Sequence, residues 1–194
     1  MRPNKRDELV SKALDVFYRS GFHATGMDML VKETGISKTS IYKHFRTKDD
    51  LIVAVLHLRD ENFRSWLFSR MAALSDTPAG QLLAMFTALG EWFGRAEFAG
   101  CMFIKASAEF QNRAHPVYQQ STEHKQMLLE HFTGLAKAAG ASDPAGLARQ
   151  LLTLKEGAIV LAAMSVTPDP AGDARLTARM LLQPYLAKGR AGTG

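Results

Sequence analysis

The chemistry most evident in this sequence lies between Thr25 and Lys48, TGMDMLVKETGISKTSIYKHFRTK. Lys38, Thr39, Ser40, Tyr42, Lys43 and His44 fall on the outer side of a short helix. Its other side carries Ile41 and Phe45. Short hydroxyls at a helix N-terminus let the backbone approach base edges closely and can donate or accept there. Tyr42, Lys43, His44 and Lys48 can bond phosphates and so fix the register of a helix on a duplex. The starts of the preceding and following helices, at Thr25-Gly26 and Thr47-Lys48, can offer backbone N–H groups to phosphate as well. The same residues could merely solvate the outer face of a helical hairpin. The tight turn at Gly35, the local basic balance and the N-terminal hydroxyls favour the nucleic-acid reading.

Other reactive side chains form no comparable constellation. Cys101 follows Gly100 at a helix start, where a thiol can be activated; the alternative, favoured by the apolar run Gly-Cys-Met-Phe-Ile, is a buried structural cysteine. His124 and His131 stand two helical turns apart near His115, Glu123 and Glu130, without the compact spacing that metal sites use. No metal is therefore expected. Lys155-Glu156, inside an apolar helix, could orient a polar ligand group or form a solvated pair, and the sequence favours neither. No glycine-rich phosphate loop, nucleophile elbow or acid–base–nucleophile set occurs. The chain is read as having no catalytic residues and no cofactor, and as not being an enzyme.

The elements that must position the 25–48 segment are helical. Leu9, Val10, Ala13, Leu14 and Phe17 share one face of a 3.6-residue period, and Gly21 stops that helix. A second helix spans Met27 to Thr34, with Thr25 as its cap, and Gly35 breaks it. Ser37 caps a third, Lys38 to Phe45. Met27, Leu30, Val31, Ile36, Ile41 and Phe45 close a three-helix core against Leu14 and Phe17. Thr47 caps a long fourth helix reaching about Leu74, with Asp49 and Asp50 in its first turn.

Further helices are predicted from Pro78 to about Arg95, Gly100 to Gln111, Val117 to Ala139, Pro144 to about Val166, and Asp173 to Ala187. Pro168 and Pro170 are read as separators between the last two. No alternating strand pattern appears. The expected fold is all-α, about nine helices: a helix-turn-helix domain over 1–47, a larger helical domain over 48–188, and a disordered tail over 189–194.

Composition agrees with a globular protein: 194 residues, 46% hydrophobic and 22% charged. The net charge of +5 is weighted toward the start, with ten Lys/Arg against seven Asp/Glu in residues 1–50 and fourteen against twelve in the other 144. Such a balance permits nucleic-acid binding without proving it. The longest uncharged run, Gly157 to Pro168, is too short to span a bilayer, and the N-terminal residues do not form a signal peptide. With a single cysteine as well, the expected location, by elimination, is the cytoplasm.

The segments Ala24-Thr25, Gly35-Ile36-Ser37-Lys38-Thr39-Ser40-Ile41-Tyr42-Lys43-His44-Phe45 and Lys48-Asp49-Asp50-Leu51 resemble the TetR family of transcription regulators. The close match covers roughly residues 5–55. Gly26 stands where the family usually has Ser or Thr, and Leu30-Val31 where it has Ile-Ala. The resemblance implies a DNA-binding face of Thr25, Gly26, Lys38, Thr39, Ser40, Tyr42, Lys43, His44 and Lys48. It also implies a homodimer on a double-stranded operator, released by a small-molecule effector of unknown identity. Leu151, Leu154, Ala158 and Leu161 on one helix, with Leu176 and Met180 on the last, are the expected dimer interface. Trp66, Phe86, Trp92, Cys101, Phe103, Phe110, Met127 and Met164 are the candidate lining of an effector pocket, and their character favours a largely apolar ligand. The competing readings are a helical enzyme or carrier with a vestigial motif, and a DNA-binding protein without an effector.

Overall fold

A computed structural model describes residues 4–190, with side chains through Ala187. Among them the chain forms nine helices and no strand: α1 (Lys5–Ser20), α2 (Met27–Thr34), α3 (Lys38–His44), α4 (Lys48–Leu74), α5 (Pro78–Phe93), α6 (Met102–Glu109), α7 (Pro116–Ala138), α8 (Pro144–Ala163) and α9 (Pro170–Arg190). They build two compact units. One comprises the residues up to Phe63 together with Cys101–His124; the other comprises Arg64–Gly100 together with the residues from Lys125 on.

In the first unit, α1 starts at Asn4, whose side chain accepts the Arg6 N–H at 3.2 Å. It ends at Gly21, whose φ of 80° suits a residue without Cβ. Its buried face is Leu9, Val10, Ala13, Val16, Phe17 and Tyr18, so the core stripe lies slightly to one side of the predicted one and Leu14 is only half-buried. Phe17 stacks on Phe22 at 5.5 Å, and Leu30, Ile41 and Phe45 close the three-helix core against them. Met27, Val31 and Ile36 are half-buried at its margin.

Two caps fall as expected. Ser37 Oγ accepts the Ser40 N–H at 3.2 Å, and Thr47 Oγ1 accepts the Asp50 N–H at 3.1 Å while the Asp50 carboxylate takes the Thr47 N–H in return. That reciprocal arrangement is a capping box with Asp in place of Glu. The third cap does not. Gly26, not Thr25, is the N-cap of α2 and offers it no side chain, because Thr25 is fully buried and its hydroxyl donates to the Gly21 carbonyl at 2.6 Å.

In the second unit α5, α8 and α9 pack against one another, burying Leu82, Met85, Phe86, Leu147, Leu151, Ile159, Ala178 and Leu182. Helix α9 begins at Pro170, three residues before the predicted start. Asp169 accepts the Gly172 N–H at 2.9 Å, so Pro170 opens the helix instead of separating it from α8. Gly189 and Arg190 continue α9, although the tail was expected to begin at 189; residues 191–194 lie outside the described residues. No helix among the described residues is long and apolar enough to cross a membrane.

Candidate nucleic-acid interface

Helix α3 is only seven residues long and is anchored through a single buried side chain, Ile41, with Phe45 buried just past its end. A helix so short is held by its cap and its anchor rather than by propensity. The Ser37 cap fixes its first turn, and the Ile41–Phe45 anchor fixes its rotation. Lys38, Thr39, Tyr42 and Lys43 are consequently exposed on the opposite side, and Ser40 and His44 are half-buried at its edges. Tyr42 is 47% exposed although most of its ring is apolar, which leaves both the ring and the hydroxyl available to a partner. The Lys38 ammonium lies 3.7 Å from the Asp28 carboxylate, which is almost wholly in solvent; such a pair is weak and can exchange for a phosphate.

The first turn of α2, lacking a side-chain cap, keeps N–H groups that an anion can take, although Asp28 in that turn opposes it. The N-terminus of α4 offers less than the sequence suggests, because its capping box consumes the Asp50 N–H and Asp49 pairs with His115 at 3.2 Å.

Two residues assigned to the DNA face are placed elsewhere. Thr25 is buried with its hydroxyl engaged, and the Lys48 ammonium donates to the carbonyls of Phe22 and Thr25 at 3.0 and 3.3 Å. Both hold the α1–α2 loop. Gly26 is exposed beside that loop. Arg46 is exposed between α3 and α4 and was not picked out from the sequence, although its position in the run Lys-His-Phe-Arg-Thr-Lys was the available signal.

The residues expected to line an effector pocket do not form one group. Cys101, Phe103 and Phe110 belong to the first unit. There Phe103 stacks on His124 at 3.7 Å, and Phe110 lies 4.7 Å from the His23 ring and 6.2 Å from Phe22. Cys101 is buried at the start of α6. Trp66, Phe86, Trp92, Met127 and Met164 belong to the second unit. Phe86 is fully buried, Trp92 nearly so, Trp66 and Met127 half-buried, and Met164 is 68% exposed. A groove of 490 Å³ in the first unit is lined by Arg6, Asp7, Ser11, His57 and Glu61 among others, and by none of those eight.

The interface residues divide as well. Leu151 and Ala158 are buried within the second unit and Leu154 is half-buried, because that side of α8 packs on its own chain's helices. Leu161, Leu176 and Met180 are exposed, together with Val160, Met164 and Val166.

The two histidines noted on α7 each contact another side chain. His124 Nδ1 and Asp60 Oδ1 are 2.6 Å apart, with both side chains buried. His131 stacks on Phe68 at 3.6 Å, and burial lowers its pKa. No group of three or more His, Cys, Asp or Glu able to hold a metal occurs among the described residues.

Comparison with known proteins bears on the family. Residues 9–55, spanning most of α1 through the start of α4, match the family described as bacterial regulatory proteins, tetR family. The HTH-type transcriptional regulator YjdC of Escherichia coli is 22% identical over 155 residues, 80% of this chain and 81% of that protein. The crystal structure of SCO4454, a TetR-family transcriptional regulator from Streptomyces coelicolor, superposes with a TM-score of 0.85 over 93% of this chain and 95% of that one, at 27% identity. A tetR transcriptional regulator of Streptomyces avermitilis, sav143, gives a TM-score of 0.84 at 30% identity, covering 94% of this chain and 98% of that chain. With an exposed polar α3 on a three-helix core and a relative of that identity matched over nearly its full length, this chain belongs to the TetR family and is a DNA-binding transcriptional regulator, not an enzyme.

Proposed function

We propose that the chain acts as a homodimeric repressor that reads a palindromic operator with α3 and is released by a small, largely apolar effector. The observation that carries the reading is the exposed set Lys38, Thr39, Tyr42 and Lys43 on a helix whose orientation is fixed by Ile41 and the Ser37 cap. Residues 1–47 supply the reading head, and 48–188 supply dimerisation and effector binding. The exposed apolar side chains Leu161, Met164, Leu176 and Met180 support self-association, since surfaces of that character mark interfaces. Two symmetry-related reading helices then sit roughly 34–36 Å apart, one turn of duplex.

The aromatic and methionine content of the middle of the chain supports an apolar effector over a sugar phosphate. A ligand acts only through unequal affinity for the two shapes of the dimer, and a coupling of about 1–3 kcal/mol suffices. Selection of binding sites from random duplex DNA by the purified protein, at near-physiological salt, tests the reading. An inverted repeat with half-sites about one turn apart supports it, and a reporter driven through that sequence must then be silenced by the protein. Salt-sensitive binding with no recovered motif supports an architectural protein instead. A reporter that rises with the protein makes the regulator an activator.

A further inference from the structure

Helix α2 buries only Leu30 and Thr34, so its packing alone constrains its direction weakly. What precedes it is held firmly, from two sides. The carbonyls of Phe22 and Thr25 accept from the Lys48 ammonium at the start of α4. The N–H groups of the same loop point the other way, to α6. Phe22 N–H lies 3.0 and 3.1 Å from the two Glu109 carboxylate oxygens, and the adjacent His23 N–H donates to one of them. The His23 ring nitrogen lies 3.8 Å from that oxygen. Gly21, at φ 80°, passes so close that a Cβ there would stand 3.0 Å from the Glu109 carboxylate. One turn earlier on α6, Lys105 donates to the Tyr18 carbonyl at 3.2 Å and so closes the last turn of α1. Phe110 seals the contact against Phe22 and His23. A single carboxylate thus takes two successive backbone N–H groups 86 and 87 residues away in sequence.

We propose that Glu109, seconded by Lys105, is a positioning residue for DNA reading: from outside the helix-turn-helix it fixes the loop that aims α2, and through α2 the α3 face. The inference rests on the reading of α2 and α3 as the DNA-contacting head. The three-helix core of Phe17, Leu30, Ile41 and Phe45 does not include Glu109; without it water can take the His23 N–H in the exposed part of the loop, while the part-buried Phe22 N–H loses its acceptor. Loss of Glu109 therefore loosens the loop more than it unfolds the chain.

The test uses the full chain and an operator selected with the wild-type protein. For Glu109→Ala the expected result is operator affinity reduced about tenfold, the scale of partly losing a charge-assisted hydrogen bond. Amide exchange at Phe22 and His23 should accelerate while the thermal midpoint stays within about 3 °C of wild type. Glu109→Gln, which keeps an acceptor oxygen in place, should recover most of the affinity. A folded Glu109→Ala with wild-type affinity overturns the proposal, as does an affinity loss that Glu109→Gln does not repair. Should Glu109→Ala fail to fold, Glu109→Asp, which withdraws the carboxylate by one methylene, must weaken operator binding; unchanged binding overturns the proposal. A wild-type chain that selects no sequence sinks the DNA-reading assignment itself, which is a distinct outcome from an operator bound equally by every variant.

Discussion

At the scale of single residues, the division of labour between lysines follows from what surrounds each one. Lys38 and Lys43 stand in solvent on α3, whereas Lys48 turns back to two loop carbonyls and Lys155 is buried. In the second unit Lys155 and Lys125 both reach the Glu156 carboxylate, at 2.9 and 2.7 Å. Burial by itself raises the pKa of Glu156, but the two lysine charges and their hydrogen bonds outweigh it and pull it down from 4.5 to about 2. Because the folded value lies below the unfolded one, the stabilisation is complete above about pH 4.5 and disappears as pH falls toward 2. It amounts to at most about 3 kcal/mol. Urea unfolding of wild type and Glu156→Gln should converge in stability as pH is lowered from about 6 to about 3, and a constant difference would contradict this assignment.

The sequence carried the outward character of α3 because cap, anchor and polar face all lie within nine residues, Ser37 to Phe45. The roles of Thr25, Lys48 and Glu109 were illegible there. A buried hydroxyl, or an ammonium bonded to loop carbonyls, looks the same in a string of letters as an exposed one, and Glu109 meets its partners across 86 and 87 residues.

At the scale of elements, most helix starts were legible because they rest on local caps. Thr77-Pro78-Ala79-Gly80 and Asp143-Pro144-Ala145-Gly146 each place an acceptor, a proline and then a glycine whose N–H is bonded by the cap at 3.1 and 2.9 Å. Asp169-Pro170-Ala171-Gly172 repeats the pattern at 2.9 Å, and reading its prolines as breakers hid the start of α9. A Cβ at Gly146 or Gly172 would stand 2.1 or 2.0 Å from the capping carboxylate, so a larger residue there would make the cap side chain turn aside. Replacing Asp169 with Ala should destabilise the protein by about 1 kcal/mol in urea unfolding. Exchange in the first turn of α9 should rise with it, and unchanged stability would mean that the cap contributes nothing. The predicted effector and dimer sets mix buried and exposed side chains because an apolar letter does not say whether its face meets its own chain or another. Leu151 and Ala158 are enclosed, whereas Met164 and Met180 stand in solvent.

Across the whole molecule, the proposed reading of a palindromic operator requires one reading surface presented twice. Met180, 72% exposed, and Leu176, 63% exposed, lie on α9 with no need of such side chains for the fold of their own unit. Met180→Glu should therefore leave the melting of the monomer fold intact while shifting sedimentation from dimer to monomer. Burying an unpaired carboxylate in an apolar contact is strongly unfavourable. A Met180→Glu protein that still sediments as a dimer places the interface elsewhere.

In the proposed function α3 reads base pairs through its N-terminal hydroxyl while other residues of the same face grip phosphates. The decisive measurement is the selection of sites from random duplex DNA with wild type, Thr39→Ala and Tyr42→Phe in parallel. Thr39→Ala should relax the preference at one base position in each half-site, at a cost of about 1–3 kcal/mol for the preferred base. Tyr42→Phe should weaken all sequences alike and leave the motif unchanged. An identical motif and affinity for Thr39→Ala would contradict an α3 that turns Thr39 toward the base edges.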